Sequence, residues 1–130
     1  MTGVDVIDYW LELAHDELGL TDLRQSKESV YRYAHFLETF SINDTGIFAY
    51  IISPDMKGGH ALVEMLFYIR KEFRGSIKLV KSYINEAERI AKEKNCNSIK
   101  IGSNIGHRDL TFIKLLDRWG YKPDTMSKGI

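Results

Sequence analysis

The apolar stretch "HALVEMLFYI", residues 60–69, restricts the fold more than any other part of the sequence. An almost unbroken apolar run indicates a strand that is buried on both faces, and such strands lie at the centre of a sheet. A charged turn follows, and Leu79, Tyr83, Ala87 and Ala91 then recur at the spacing of an amphipathic helix. A strand that passes directly into a helix predicts an α/β chain whose middle strands are parallel and joined by right-handed crossovers.

Helical periodicity and turn residues place the remaining elements. Gly19 ends a first amphipathic helix, Ser26 is a suitable N-cap for a second, and Asn95 can take the left-handed conformation that ends a third. The residues "NDTG" between two β-branched and aromatic runs predict a hairpin. The expected elements are, in order, helices at 4–18 and 26–40, a hairpin around 43–46, the strand at 60–69, a helix ending at 95, a strand at 98–103, a helix at 108–120 and an edge strand or tail from 121.

The size and charge of the chain exclude several classes of protein. Its 130 residues suit a single domain, residues 1–130. Lys plus Arg and Asp plus Glu both number 18, so no net field attracts nucleic acid or an anionic membrane. No apolar run reaches the ~18 residues of a membrane span, and the acidic N-terminus is unlike a signal peptide, so a cytoplasmic location is expected. The single cysteine, Cys96, is expected to be an inert thiol.

The charged turn after the apolar strand is a candidate anion site. Arg70, Lys71 and Arg74 surround the turn, and Lys78 and Lys81 lie on the first two turns of the helix that follows. Backbone N–H groups at a helix N-terminus favour anions, so these cations predict a cradle for a phosphate group. A solvated turn with a charged helix face explains the same residues. The glycines and the Lys-Ser/Thr pair of a Walker loop are missing.

Glu64 lies inside the apolar strand, where a carboxylate needs a physical reason. Burying a charged group costs several kcal/mol unless it is paired, and burial makes a carboxylate a stronger base. Glu64 is therefore a candidate catalytic base. A strand face that lines an open cleft, or a pairing arginine, explains the residue equally well.

The spacing of the serines and histidines supports neither a hydrolase triad nor a metal site. Ser53 and Ser76 lack a partnered histidine and acid in any known triad spacing, so a hydrolase triad is not indicated. The histidines lack the i, i+4 pairing typical of zinc ligands, and no metal is expected. They are His15, His35, His60 and His107.

A family resemblance adds to these observations. The ordered set "ALVEMLFYIRKEFRGS", a helix ending in "EAERIAKEKN", "SIKIGSN" and "LLDRWGYKP" resembles the GNAT superfamily of acyl-CoA-dependent N-acetyltransferases, over about residues 42–123. The resemblance implies an α/β fold with a mixed central sheet flanked by helices, and acetyl-CoA as the cofactor. It also implies direct transfer of an acetyl group to a primary amine of a small molecule or a protein, with no nucleic acid or membrane as partner; a homodimer is left open.

The resemblance also assigns roles to residues. In the family, pantetheine lies along the backbone of the central strand, the turn before the next helix wraps the pyrophosphate, and a glutamate on the central strand often serves as the base. Glu64 is the corresponding base here. The implied cofactor-binding residues are Phe67, Tyr68, Ile69, Arg74, Gly75, Ser76, Ile77 and Lys78, with Asn104 in the later loop "SNIGHR".

Two departures from the family pattern favour a different function. The family's motif glycines fall on Ile77 and Leu79, or on Lys78 and Val80 if one residue is inserted, and its usual acid tyrosine falls on Leu116. These replacements favour a catalytically silent GNAT-fold binding or structural protein with a degenerate cofactor site. The loop "SNIGHR" followed by "LLDRWGY" is similar to the ending of small bacteriophage GNAT-like proteins, several of which are virion components or host-takeover factors.

Overall fold

The structure is a computed structural model that describes residues 3–19, 23–32, 35–102 and 110–122. An opening pair of helices is followed by three consecutive strands, and helices then alternate with a last described strand. The elements are α1 (Gly3–Leu18), α2 (Leu23–Tyr31), β1 (Glu38–Phe40), β2 (Gly46–Pro54), β3 (His60–Ile69), a short 3-10 helix (Lys71–Phe73), α3 (Ile77–Glu93), β4 (Ser98–Lys100) and α4 (Leu110–Arg118).

The described strands form one mixed sheet in the order β1-β2-β3-β4. β1 and β3 each pair antiparallel with β2, whereas β3 and β4 are parallel. The apolar strand is therefore interior to the sheet, as its sequence predicts. The predicted mixed sheet flanked by helices is confirmed.

The turn of the β1–β2 hairpin has the backbone that its residues predict. Asn43 and Asp44 take positive φ angles of 49° and 56°, which these residue types tolerate better than most. The turn is also tied to α3, because the hydroxyl of Tyr83 accepts a hydrogen bond from the Ile42 N–H at 3.1 Å and pairs with Thr45 Oγ1 at 3.0 Å. The hairpin is thus fixed to the helix on one side of the sheet.

The prediction for residues 26–40 is wrong at both ends. The helix begins at Leu23, before the proposed cap at Ser26, because Leu23 packs against the hydrophobic core. It ends at Tyr31, and Glu38–Phe40 joins the sheet instead. Phe40 pairs with Phe48 across the hairpin and stacks on it with ring centroids 5.1 Å apart, so this cross-strand contact outweighs the local helical pattern.

The C-terminal elements are shorter than the sequence predicts. β4 ends at Lys100 and not at residue 103, because its pairing with β3 ends there. α4 ends at Arg118, and Gly120 follows with a φ of 93°. Asn95 takes the predicted left-handed conformation after α3, with a φ of 58°. Residues 108 and 109 of the predicted helix and residues 123–130 of the predicted edge strand or tail lie outside the described residues.

Two hydrophobic clusters cover the two faces of the sheet. The cluster on the α1 face consists of Ile7, Trp10, Leu11, Ala14, Ile47, Ala49, Leu66 and Tyr68. The cluster on the α3 face consists of Phe48, Tyr50, Leu62, Tyr83, Ala87, Ile90 and Ala91. The sheet is therefore a middle layer between helices. In the described part of the chain no helix combines the length and the apolarity that crossing a membrane requires.

Candidate functional site

β3 and β4 separate partway along β3. Their pairing consists of Ala61 with Ser98, Leu62 with Ile99 and Val63 with Lys100. β3 then continues to Ile69, and over this second part the described residues pair with it only from β2. We call residues 61–63 the closed end of β3 and residues 64–69 its open end. Among the described residues, the backbone groups of the open end that face away from β2 are available to hydrogen-bond a ligand, apart from the Ile69 carbonyl, which accepts from Arg74 Nε.

A β-bulge marks the start of the open end. Tyr50 lies opposite Glu64 and Ala49 opposite Leu66, which leaves Met65 as an extra residue on β3. Side chains alternate between the faces of a strand, so the extra residue moves the following side chains to the other face. Glu64 therefore shares the α3 face with its cross-strand neighbour Tyr50, whereas Leu66 lies on the α1 face.

Glu64 is buried at the point where the two strands separate. Its relative exposure is 2 %. Tyr50, which lies opposite, is 5 % exposed, and burial together with a hydrogen bond to Glu38 raises the pKa of its phenol far above the usual value. Tyr50 therefore stays protonated at neutral pH. The predicted base stands at the boundary between the closed and open ends, in a setting that restricts its access to water.

The turn after β3 leads directly into the N-terminus of α3. Gly75 takes a φ of 93°, which favours glycine, although a Cβ there would meet nothing within 4 Å. Ser76 caps the helix by accepting a hydrogen bond from the Leu79 N–H at 3.2 Å. The N–H groups of Ile77 and Lys78, in the first helical turn, have no partner within the helix. Residues 71–78 are exposed, so these donors face solvent.

Three of the five cations around the turn are engaged in contacts within the protein. Arg70 donates from Nη2 to Asp44 Oδ2 at 3.0 Å, and its guanidinium lies 4.6 Å from the centroid of the Trp10 ring. Lys81 Nζ lies 4.4 Å from the centroid of the Trp119 ring. The third is Arg74, which donates from Nε to the Ile69 carbonyl at 3.0 Å and from Nη2 to Glu17 Oε2 at 3.1 Å.

The other two cations, Lys71 and Lys78, make no ion pair with any described residue. Both are exposed. Lys71 lies in the 3-10 helix and Lys78 in the first turn of α3, on either side of Gly75. Of the cations that the sequence singles out, these two are the ones whose charge is left for a ligand.

The structure brings most of the predicted cofactor-binding residues into one continuous stretch. Phe67, Tyr68 and Ile69 form the end of β3, and residues 74–78 form the turn and the start of α3. The Phe67 ring packs on Tyr83, with centroids 5.3 Å apart, and on Phe112 of α4, with centroids 5.7 Å apart. Asn104 and His107 lie outside the described residues. Leu116 is buried in α4, where the family's tyrosine is expected.

Sequence analysis missed Glu17, the last acidic residue of α1. Its Oε2 atom accepts hydrogen bonds from the Tyr68 hydroxyl, from the Lys71 N–H at 3.1 Å and from Arg74 Nη2 at 3.1 Å. Glu17 and Arg74 are 57 residues apart, and in the sequence Glu17 is one of several acidic residues of the first helix. No local signal distinguishes it from the other acidic residues of α1.

A separate cleft of about 510 Å³ lies at the β1 edge of the sheet, away from β4. It is lined by β1, Tyr50 and the second half of α3. Arg89 crosses this surface and forms ion pairs with Glu86 at 2.6 Å and Glu93 at 2.7 Å, so its own charge is already paired within α3. Within the described ranges no group of three His, Cys, Asp or Glu side chains has a geometry that could hold a metal.

Comparison with known proteins identifies the fold. No family model and no curated protein matches the chain. The chain has the fold of the GNAT acetyltransferases. It is similar to an aminoglycoside acetyltransferase from an uncultured soil metagenomic sample, with a TM-score of 0.71 and 10% identity, covering 100% of this chain and 93% of that chain.

Two further structures show the same likeness. A ribosomal-protein-alanine N-acetyltransferase from Brucella melitensis has a TM-score of 0.68 and 16% identity, covering 100% of this chain and 95% of that chain. AAC(6')-Iy, in complex with the bisubstrate analog CoA-S-monomethyl-acetylneamine, has a TM-score of 0.62 and 17% identity, covering 100% of this chain and 92% of that chain. The fold predicted from the sequence resemblance is thus confirmed at low sequence identity.

Proposed function

We propose that this chain is an acetyl-CoA-dependent N-acetyltransferase that acts on a primary amine of a small molecule or a protein by direct transfer. One observation carries the proposal: the open end of β3, the exposed turn and the N-terminus of α3 follow one another in residues 64–78. The fold adds support, since one of the similar structures contains a CoA bisubstrate analog.

The residues of the turn fit a phosphate-bearing cofactor despite the missing glycines. Ile77 and Lys78 have helical backbones, and a side chain on a helical residue does not block donation from its N–H group. Ile77 is 54 % exposed, so its side chain is not packed into the core. The space beside Gly75 is open, and Lys71 and Lys78 carry charge to it from both sides.

Different residues of the chain bind different parts of acetyl-CoA. When bound, acetyl-CoA supplies the acetyl group as a reactive thioester. The first-turn N–H groups of α3 bind phosphate oxygens, and Lys71 and Lys78 add charge-assisted hydrogen bonds. The Phe67 backbone groups and the Ile69 N–H, which face away from β2, hold the pantetheine arm in the opening between β3 and β4, and N–H groups there polarise the reacting carbonyl.

Proton transfer falls to Glu64 and to solvent. Glu64 accepts the proton that the acceptor amine loses, directly or through water, because a buried carboxylate is a stronger base than an exposed one. Leu116 cannot donate a proton, so protonation of the leaving group falls to solvent.

A second candidate is a catalytically silent GNAT-fold protein that binds a partner or serves a structural role. The contacts of Glu17 favour it, because they occupy the Lys71 N–H and the Arg74 guanidinium, two groups that would otherwise face an anion. The leucine at position 116 favours it too.

Calorimetric titration with acetyl-CoA separates the two candidates. The enzyme proposal expects micromolar binding that weakens about tenfold or more when Lys71 and Lys78 are both changed to Ala, since each removes a charge-assisted hydrogen bond. Changing Lys92 and Lys94 to Ala, at the other end of α3, is the matched control and leaves the affinity unchanged. Absence of binding at millimolar acetyl-CoA supports the silent protein.

A thiol-release assay then tests transfer itself. Acetyl-CoA is incubated with the protein and a panel of amines that includes aminoglycosides, polyamines and lysine peptides. Amine-dependent release of free CoA supports the transferase, whereas binding without release for every amine supports a protein that has kept the cofactor site and lost transfer.

A further inference from the structure

We propose that Glu17 and Arg74 form a positioning pair that holds the phosphate turn in shape, and that Arg74 does not itself contact the cofactor. This inference rests on the proposed function. It assigns phosphate contact to Lys71 and Lys78 instead of the arginine that the family motif singles out, and it gives α1 a part in building the site.

The first support is the number of groups that meet at one oxygen. Glu17 Oε2 accepts from Tyr68, from Lys71 and from Arg74. These donors come from the end of β3, from the 3-10 helix and from the residue before Gly75. A single carboxylate of α1 therefore fixes the turn at three successive places, and Gly75 and α3 follow directly.

The second support is the geometry of Arg74. Its Nε donates to the Ile69 carbonyl at 3.0 Å, its Nη2 donates to Glu17, and its guanidinium lies 5.1 Å from the centroid of the Tyr68 ring. The side chains of Glu17 and Arg74 are 17 % and 34 % exposed, so the pair is partly shielded from solvent. Two of the five N–H groups of Arg74 are therefore used within the protein, and its planar guanidinium is held beside the Tyr68 ring.

The third support is the balance of charge. Glu17 and Arg74 cancel each other, and Arg70 is paired with Asp44. The turn then keeps the positive charges of Lys71 and Lys78 and the negative charge of the exposed Glu72, so its net positive charge comes from the two lysines. A carboxylate beside a phosphate site repels the ligand unless it is neutralised, so Arg74 also shields the cofactor from Glu17.

The Glu17→Gln variant tests the pair, because the two roles of Arg74 predict opposite changes in its affinity for acetyl-CoA. The positioning pair predicts binding weakened roughly tenfold, because hydrogen bonds to a charged group are lost and the turn loosens. If Arg74 were a phosphate ligand held back by Glu17, the same variant would bind more tightly, and that result overturns the inference. Tyr68→Phe removes only one donor and gives a smaller loss in a fold that keeps its core.

Two further measurements separate positioning from direct contact. Arg74→Lys keeps the charge but cannot donate to Ile69 and Glu17 together, so we expect it to lose affinity nearly as Arg74→Ala does; retained affinity contradicts the pair. The salt dependence of binding should fall in a Lys71→Ala, Lys78→Ala variant and stay at the wild-type level in a Glu17→Gln, Arg74→Gln variant. The reverse pattern assigns phosphate contact to Arg74.

Amide hydrogen exchange in the ligand-free protein tests the pair even if acetyl-CoA does not bind. The Lys71 N–H should exchange slowly in the wild type and about tenfold faster in Glu17→Gln, whereas the Leu79 N–H, held by Ser76, stays unchanged. A Lys71 amide that exchanges at the unprotected rate in the wild type overturns the inference. If wild-type protein fails to bind acetyl-CoA but shows this protection, the proposed function fails and the positioning pair stands.

Discussion

The two ends of β3 are built in opposite ways. The closed end, residues 61–63, is hydrogen-bonded by β2 on one side and β4 on the other. The open end, residues 64–69, keeps only β2 as a described neighbour and begins with a β-bulge at Met65. Backbone groups at the closed end are paired on both sides, whereas no described strand pairs with the open end on the side away from β2. One strand thus supports the fold at one end and the proposed site at the other.

The contacts around the two ends differ in kind. At the closed end the Asn97 N–H donates to the His60 carbonyl at 2.7 Å, and Ser98 Oγ donates to Asp55 Oδ2 at 3.1 Å. At the open end the turn is fixed by ion pairs from Arg70 and Arg74 to acidic residues. A backbone hydrogen bond and a hydroxyl–carboxylate hydrogen bond hold the closed corner, whereas two arginine–carboxylate ion pairs hold the turn. Salt and charge substitutions should therefore affect the open end more.

The largest expected effect concerns Glu64, at the boundary between the two ends. Glu64→Gln preserves shape and removes the base, so we expect turnover to fall about 10²–10⁴-fold. Affinity for acetyl-CoA and the thermal midpoint of unfolding should change little. Steady-state kinetics of thiol release, with calorimetric binding as the control, provide the measurement. Unchanged turnover in Glu64→Gln would exclude this residue as the base.

A matched pair of glycines gives the next effect. Gly59, beside the closed end, and Gly75, after the open end, have φ angles of 77° and 93°, so alanine at either position costs about 1–2 kcal/mol of backbone strain. A Cβ at Gly59 would also lie 2.4 Å from Asn97 Nδ2, whereas at Gly75 it meets nothing within 4 Å. Gly59→Ala should therefore lower the free energy of unfolding by about 1 kcal/mol more than Gly75→Ala, through loss of the Asn97 contact.

Urea denaturation measures the free energy of unfolding of both glycine variants. The same two substitutions in an Asn97→Ala protein are the control. In that background the difference between the two variants should disappear, because the atom that Gly59→Ala displaces is gone. Equal costs in the wild-type background contradict the close approach at the closed end.

Sequence patterns predicted the elements whose signals are local. β3 and α3 have uninterrupted apolar periodicity, and Asn95 marks the helix end with a residue that tolerates positive φ. The hairpin was predicted from its turn and its flanking residues, but residues 38–40 were also assigned to the second helix. The contacts of Phe40 with Phe48 across the hairpin and with Tyr83 of α3 decide for the strand. The bulge at Met65 lies among apolar residues with no glycine or proline to signal it.

The turn of the candidate site is recognisable in the sequence, but the contacts of its side chains are not. The charged turn stands out in the sequence because five cations cluster where a strand meets a helix. Which of them are engaged depends on partners from other elements: Asp44 in the hairpin turn, Glu17 on α1 and the Trp119 ring after α4. Such partners become visible only when the chain has folded.

The smallest effect is a pH dependence at the closed end. Hydrogen bonds from the Lys57 N–H and then from Ser98 lower the pKa of Asp55 below its usual value. A carboxylate with a lowered pKa stabilises the fold above its unfolded pKa, and this contribution is lost as pH falls through the folded value. Asp55→Asn should slightly lower the free energy of unfolding at neutral pH, and the difference should vanish under acid conditions. A difference that grows on acidification contradicts this sign.

The most direct test of the account is a titration of ¹⁵N-labelled protein with acetyl-CoA, followed by backbone amide chemical shifts. If the open end and the turn form the cofactor site, the amides of residues 64–69 and 75–78 shift with a common dissociation constant, while those of residues 61–63 stay in place. Shifts centred on the closed end, or no shifts at millimolar acetyl-CoA, would contradict the account.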